Sequence, residues 1–300
     1  MSKVAVVTDS NSGITLAQAK AKGIFIVPMP FIIDGNEYEE EISLSQEEFY
    51  KKLIGDASIS TSQPSTYSLS ELWNEILKEY DEIIYIPMSS GLSNSCQTAT
   101  ILSHEEDFEG KVHVLDLQRI SVTQKSAAYE AKYLLDHGKT CEEVCSYLMG
   151  TKMHASIYIM VDTLKYLKRG GRVTPTAAAL ANLLNIKPVL QIQGQKLDSF
   201  TKVLSVRVAR IKMINAIKAD MESRFKEEIE KGEVILSMAY TNNVDEALDF
   251  KKQIEEAIPE LPVVFSNPLS LSVSCHIGPG ALAVTIQHSC VKAEDLKDEA

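Results

Sequence analysis

The chain has 300 residues, 45% of them hydrophobic, and a formal charge of −11. That length buries a substantial core and favours two domains over one, while the acidic balance lacks the basic surface that nucleic acid requires. The start, Met1-Ser2-Lys3-Val4-Ala5-Val6-Val7, reads as an immediate strand without signal-peptide features, and the apolar runs are too short to span a membrane, so a cytoplasmic location is expected.

Along the first half, short apolar runs alternate with helix signals. Val4 to Val7 and Ile24 to Val27 read as strands on either side of a helix that opens with the capping box Thr15 and Gln18. Phe31-Ile32-Ile33 and Glu37-Tyr38-Glu39 flank Asp34-Gly35, which suits the tight turn of a hairpin. Ser45 with Glu48, Ser68 with Glu71 and Thr140 with Glu143 repeat the capping-box signal and predict three further helix starts. Ile83 to Ile86 and Val112 to Leu115 read as strands between them. This rhythm predicts a Rossmann-like, mainly parallel sheet with helices on both faces.

Near Gly150 the pattern changes, dividing the chain into an α/β domain at 1–150 and an α+β domain with a mixed sheet at 151–300. Ile157 to Val161 is a buried strand, and Thr174-Pro175 opens an Ala-rich helix through Leu184. Ile186 to Ile192, a turn at Gly194 and Leu197 predict a hairpin. One long amphipathic helix is expected over Val206 to Lys231, then a strand at Val234 to Ala239, a helix at Val244 to Ala257, and strands near Val263 and from Ala281 to Ile286. Two tightly packed lobes with a cleft between them follow.

The five cysteines include no C-x-x-C pair, so neither a metal nor a disulfide is expected; Cys141 and Cys145 read as one packed helix face. His104-Glu105-Glu106 has Phe108 where a zinc-binding motif needs its second His. Gly138-Lys139-Thr140 has Tyr133 in place of the first phosphate-loop glycine, which dismisses nucleotide binding by that route.

Two hydroxyl-rich turns, Ser60-Thr61-Ser62-Gln63-Pro64-Ser65 and Met88-Ser89-Ser90-Gly91-Leu92-Ser93-Asn94-Ser95, each precede a helix-like segment at one rim of the predicted sheet. Open α/β sheets bind ligands at that rim. Hydroxyls and helix N-termini favour an anionic oxygen group, a carboxylate or a phosphate. In Thr8-Asp9-Ser10, Asp9 ends the first strand and serves as an organiser of the rim; an ordinary capping turn has the same composition.

Gly91-Leu92-Ser93-Asn94-Ser95 resembles a nucleophile elbow with Ser95 at its last glycine, and chain order would allow Asp116 and His276 to complete a hydrolase relay. Lys165, Lys168, Arg169 and Arg172 surround Gly170-Gly171, a basic patch readable either as a solvated helix end or as a turn that fixes Arg172. His276-Ile277-Gly278-Pro279-Gly280 sets one imidazole beside a rigid turn.

Thr8-Asp9-Ser10, Thr61-Ser62-Gln63-Pro64, Ser89-Ser90-Gly91-Leu92-Ser93, Gly170-Gly171-Arg172, Lys187-Pro188-Val189-Leu190 and His276-Ile277-Gly278-Pro279-Gly280 occur in an order that resembles the DegV family of fatty-acid-binding proteins. The resemblance spans nearly the whole chain. It implies two α/β lobes with one long-chain fatty acid at their junction, no cofactor and no metal, and no catalysis by this chain alone. It further implies that Thr61 and Ser93 contact the carboxylate, that Ser62 and His276 support it, and that Arg172 serves the approach of an ATP-binding fatty acid kinase resembling dihydroxyacetone kinase. Asn94 replaces the family's usual glycine, Cys96 a frequent aromatic, and Asp116-Leu117-Gln118 lacks the usual hydroxyl residue. The expected function is a fatty-acid carrier that presents the carboxylate for acyl phosphate formation. A serine esterase using Ser93 and His276, or a lipid-responsive regulatory protein, stands as the alternative.

Overall fold

Apolar runs that are covered on both faces become the strands of a parallel sheet, and the first half of the chain follows that rule. A computed structural model describes residues 2–40, 42–55, 57–172, 174–175 and 186–296. The strands of its first half are β1 (Val4–Asp9), β2 (Ile24–Val27), β3 (Phe31–Ile33), β4 (Asn36–Tyr38), β5 (Ile59–Thr61), β6 (Glu82–Ile86) and β7 (Val112–Val114). The helices are α1 (Leu16–Lys22), α2 (Gln46–Ile54), α3 (Thr66–Ile76), α4 (Ser95–Leu102), α5 (Val122–Asp136) and α6 (Cys141–Gly150).

Strands β2-β1-β6-β7 form a parallel sheet. Ala5, Val7, Ile83 and Tyr85 on one face pack against Trp73 of α3 and Ala99 of α4. Val6, Ile84 and Ile86 on the other face meet Ala127 and Ala128 of α5.

The Asp34-Gly35 hairpin forms with both turn residues at positive φ, the backbone of a type I′ turn. Strand β5 joins it, pairing Thr61 with Phe31 in a small antiparallel sheet that the sequence pattern did not anticipate.

In the second half lie β8 (Ala155–Met160), β9 (Lys187–Ile192), β10 (Asp198–Val203), β11 (Val234–Tyr240), β12 (Val263–Pro268) and β13 (Leu282–His288). Its helices are α7 (Lys165–Gly170), α8 (Val206–Glu222), α9 (Lys226–Lys231), α10 (Val244–Ala257), α11 (Leu271–Ile277) and α12 (Ala293–Leu296). The sheet runs β10-β9-β8-β13-β11-β12 and is mixed, with β11 and β12 parallel and the other pairs antiparallel. One face packs on α8 and α10 through Tyr158, Met160, Leu236 and Val284. Ile157, Ile159, Leu190 and Ile192 on the other face share a core with α5 and the first sheet.

Several elements depart from the pattern read along the chain. Three capping boxes form as expected, at Thr15, Ser45 and Thr140. Ser68 lies inside α3 instead, because Ser65 takes the cap and accepts a hydrogen bond from the Ser68 N–H. The expected helix over 206–231 breaks at Ser223, where Phe225 turns into the core and starts α9.

Helix α5 gave no amphipathic signal because every residue from Val122 to Ala131 is buried between the two sheets, Lys125 and Glu130 included. Helix α11 is a single short helix where only a turn was read. The Ala-rich helix expected from Thr174 to Leu184 falls largely on 176–185, outside the described residues.

Candidate functional site

Strands β1 and β6 end side by side, and what they hold there begins with a buried charge. Asp9 is fully buried. Its carboxylate accepts hydrogen bonds from the N–H of Met88 at 2.7 Å, the N–H of Asn11 at 3.0 Å and Nε2 of Gln124 at 3.0 Å. Burial pushes its pKa up to about 6 even though these donors favour the ionised form. The side chain thereby pulls the 88–95 loop and α5 onto the end of β1.

Asn11 continues the bracing, because its Oδ1 accepts from the hydroxyls of Ser270 and Ser272 at the start of α11. The two ends of the chain are thus tied together at this rim. Asn11 and Ser272, which also line the cavity described below, escaped the sequence reading. Their only signals were proximity to Thr8-Asp9-Ser10 and a run of alternate serines before His276.

The hydroxyl loops meet across this rim. Thr61 is the last residue of β5, and its Oγ1 lies 2.8 Å from Nε2 of His276. That pairing depends on the small sheet, since Phe31, Phe49 and Tyr50 pack against Leu271 and Cys275 and so seat α11 beside β5. It also depends on Gly170, where a Cβ would stand 2.0 Å from Nδ1 of His276.

Burial, then the nearby Arg172 and Arg169, push the His276 pKa down to about 4, so the imidazole is neutral at physiological pH. In the tautomer that carries its proton on Nε2, His276 donates to Thr61 and leaves the Thr61 O–H available to a ligand.

Ser93 sits in the second loop, where its Oγ accepts from the N–H of Ser95 at 3.1 Å. The β9–β10 connection closes over this loop: the Ser89 hydroxyl donates to the Gln195 carbonyl at 2.9 Å, and a Cβ at Gly91 would lie 2.2 Å from that oxygen. Only glycine allows so close an approach. Arg172 spans the loops, its Nε donating to the Leu92 carbonyl at 3.3 Å.

Thr61, Ser62, Ser93, Arg172 and His276 all line one cavity of about 280 Å³. Asp9 acts from behind the wall. Ile120, Leu197, Val273 and Ile277 carry the lining on into an apolar pocket whose far walls include Ile157, Ile159, Ile192 and Ala283.

The hydrolase relay is not brought together. His276 bonds to Thr61, Asp116 accepts from the Ser90 hydroxyl at 2.7 Å, and Ser93 makes no hydrogen bond to His276. Of the basic patch, Arg172 reaches the cavity, while Lys165 and Arg169 lie over the Tyr166 ring.

A sequence profile described as "uncharacterised protein, DegV family" matches residues 3–289. The chain belongs to the DegV family. A DegV domain-containing protein of Listeria innocua is 30% identical to it over 288 residues, covering 94% of this chain and 98% of that one. The family's solved structures share the two-lobed fold. A fatty-acid-binding DegV family protein from Thermus thermophilus is 27% identical with a TM-score of 0.85, covering 95% of this chain and 99% of its own. DegV of Bacillus subtilis, a fatty acid binding protein, is 25% identical with a TM-score of 0.81, covering 96% and 100%. Among the described residues no helix is long and apolar enough to cross a membrane.

Proposed function

We propose that this chain binds one long-chain fatty acid, encloses its acyl tail, and presents the carboxylate to a separate ATP-dependent fatty acid kinase resembling dihydroxyacetone kinase. The observation that carries this reading is the gradient from a cavity lined by Thr61, Ser62, Ser93, Arg172 and His276 to the apolar pocket of isoleucines, valine and alanine that shares Ile120, Leu197, Val273 and Ile277 with it. The named ligands of the Thermus thermophilus and Bacillus subtilis relatives support it.

Each buried methylene contributes about 0.8 kcal/mol, so a chain of roughly sixteen carbons has a driving force near 12 kcal/mol before ordering costs. The tail supplies affinity and the hydroxyls supply orientation. Thr61 and Ser93 contact the carboxylate, with Ser62 and His276 supporting them. A neutral His276 suits this task, because it orients Thr61 without trapping the carboxylate as an ion pair.

In the kinase step a carboxylate oxygen attacks the γ-phosphorus of ATP, the bond to the β-phosphate oxygen breaks, and acyl phosphate and ADP result. This chain's contribution is positioning and charge. Arg172, at the cavity and fixed between two loops, offsets negative charge on the transferred oxygens. The proposed setting is the cytoplasm, where ATP is available.

Denaturing extraction and mass spectrometry of the purified protein should release about one fatty acid per chain. Protein that is repeatedly empty and takes up no added fatty acid would sink the carrier reading. Arg172→Ala should keep its lipid and lose kinase-dependent product; loss of lipid with kinase docking intact would overturn the division of roles. Ester turnover with covalent labelling of Ser93 by a fluorophosphonate would replace the carrier with a hydrolase.

A further inference from the structure

Four side chains that take no part in the cavity converge at the edge of the first sheet. His113 lies on the edge strand β7 and Glu82 on the neighbouring β6, with His113 Nε2 and Glu82 Oε2 3.0 Å apart. Cys141 and Cys145 are spaced by four residues on α6, so both face the same way. One ligand atom from each of His113, Cys141 and Cys145 lies within 4.8 Å of the other two.

We propose that His113, Cys141 and Cys145, completed by Glu82, bind a zinc ion. The donor set is the argument: one imidazole, two thiols and one carboxylate are the three ligand classes of tetrahedral zinc sites. The spacing fits as well. With Zn–S bonds near 2.3 Å, two sulfurs on a tetrahedral ion stand about 3.8 Å apart, so the ligand atoms of His113, Cys141 and Cys145, within 4.8 Å of one another, need to close by roughly an ångström, within the reach of side-chain rotation, and Glu82 joins them from its contact with His113.

Accessibility agrees, for Cys141 is buried while His113, Cys145 and Glu82 are half-buried, which leaves an entry path from solvent. Binding replaces two S–H bonds with two Zn–S bonds and releases two protons to water, with no change of oxidation state.

Such an ion would staple β6, the three-residue edge strand β7 and α6 together. The sequence concealed it, because a C-x-x-x-C spacing with its histidine 28 residues upstream matches no compact zinc motif.

Cobalt(II) titration of the reduced, chelator-treated full-length protein tests the site. The expected result is one cobalt per chain, with thiolate-to-metal charge-transfer absorption and the intense visible bands of tetrahedral cobalt, all displaced by zinc. Cys141→Ser with Cys145→Ser should abolish the charge-transfer band, His113→Ala should weaken retention at least a hundredfold, and Glu82→Gln should weaken it about 10- to 100-fold. Cys290→Ser, at the exposed cysteine, should change nothing.

No charge-transfer band in the wild-type protein would overturn the proposal without reliance on any variant's folding. So would an unchanged band in the double variant. A Cys141–Cys145 disulfide in protein isolated without reductant, seen as a loss of two mass units, would identify a redox pair instead.

Discussion

At the polar end Thr61, Ser93, Arg172 and His276 present polar atoms held by named partners, whereas in the adjoining apolar pocket Ile157, Ile159, Ile192 and Ala283 offer apolar surface from the face of a sheet. The polar end is assembled from loops and strand ends that are individually fixed: Asp9 holds the Met88 loop, Gly170 admits His276, and Gly91 admits the β9–β10 connection. The apolar end needs no such fixtures, because hydrophobic contact is non-directional and follows from burial alone. One end therefore tolerates changes of shape poorly and the other tolerates changes of polarity poorly.

The sharpest way to break this comparison is to fill the apolar end. Ala283→Phe occupies space that the tail would use, and excluding about four methylenes should cost ~3 kcal/mol, a hundredfold weaker retention of a sixteen-carbon acid with less effect on an eight-carbon one. Competition binding across chain lengths measures this. Equal weakening of both acids would move the tail elsewhere.

Gly170→Ala forces a Cβ to 2.0 Å from the His276 ring. The displaced imidazole should lower stability by about 2 kcal/mol, in the range for overpacking, and should weaken lipid retention. Denaturant unfolding and extraction of the same sample report both, and unchanged values would show that α7 yields freely.

Thr61→Val combined with Ser93→Ala removes two hydroxyls from the polar end. A hydrogen bond to a charged group is worth about 1.5–3 kcal/mol, so at least tenfold weaker binding is expected for the acid and little change for its methyl ester. Unaltered affinity for the acid would place the carboxylate away from these loops.

The last test concerns pH. His276 is depressed to about 4 in the folded protein, so its contribution is fully present above its ordinary pKa near 6.5 and is lost as pH falls through 4. Asp9, raised to about 6, runs oppositely: its contribution is present below 3.8 and is lost as pH rises through 6. Between pH 4 and 6 the two offset each other. His276→Gln should therefore shrink the acid loss by up to about 1.4 kcal/mol per pH unit relative to wild type, measurable by denaturant unfolding at several pH values. Parallel stability curves would show that His276 is not the group responsible.

The parallel sheet, the mixed sheet and the hairpin were legible because alternation, capping boxes and Asp34-Gly35 act within a few residues. Thr61, Ser62, Ser93, Arg172 and His276, which the structure brings to one cavity, stood out along the chain because hydroxyls, glycines and one arginine fell in short motifs. Helix α5 was not, since burial on all sides erased the periodicity that marks a helix. Ser68 misled because two serines compete for one cap and only the backbone decides which is used. Asn11, Ser272 and the His113, Cys141 and Cys145 cluster were invisible for a different reason, as each gains meaning from partners 28 or more residues away.

By itself the sequence determined the kinds of element, their order, and the chemistry available at Thr61, Ser93, Arg172 and His276, because backbone preference and side-chain type are local properties. Tertiary structure alone decided that Thr61 meets His276, that Arg172 reaches Leu92, and that Ile120 and Ile277 join the polar mouth to an apolar pocket. Those outcomes depend on how α5, α11 and two sheets pack, and packing is set by the summed burial of residues far apart in the chain.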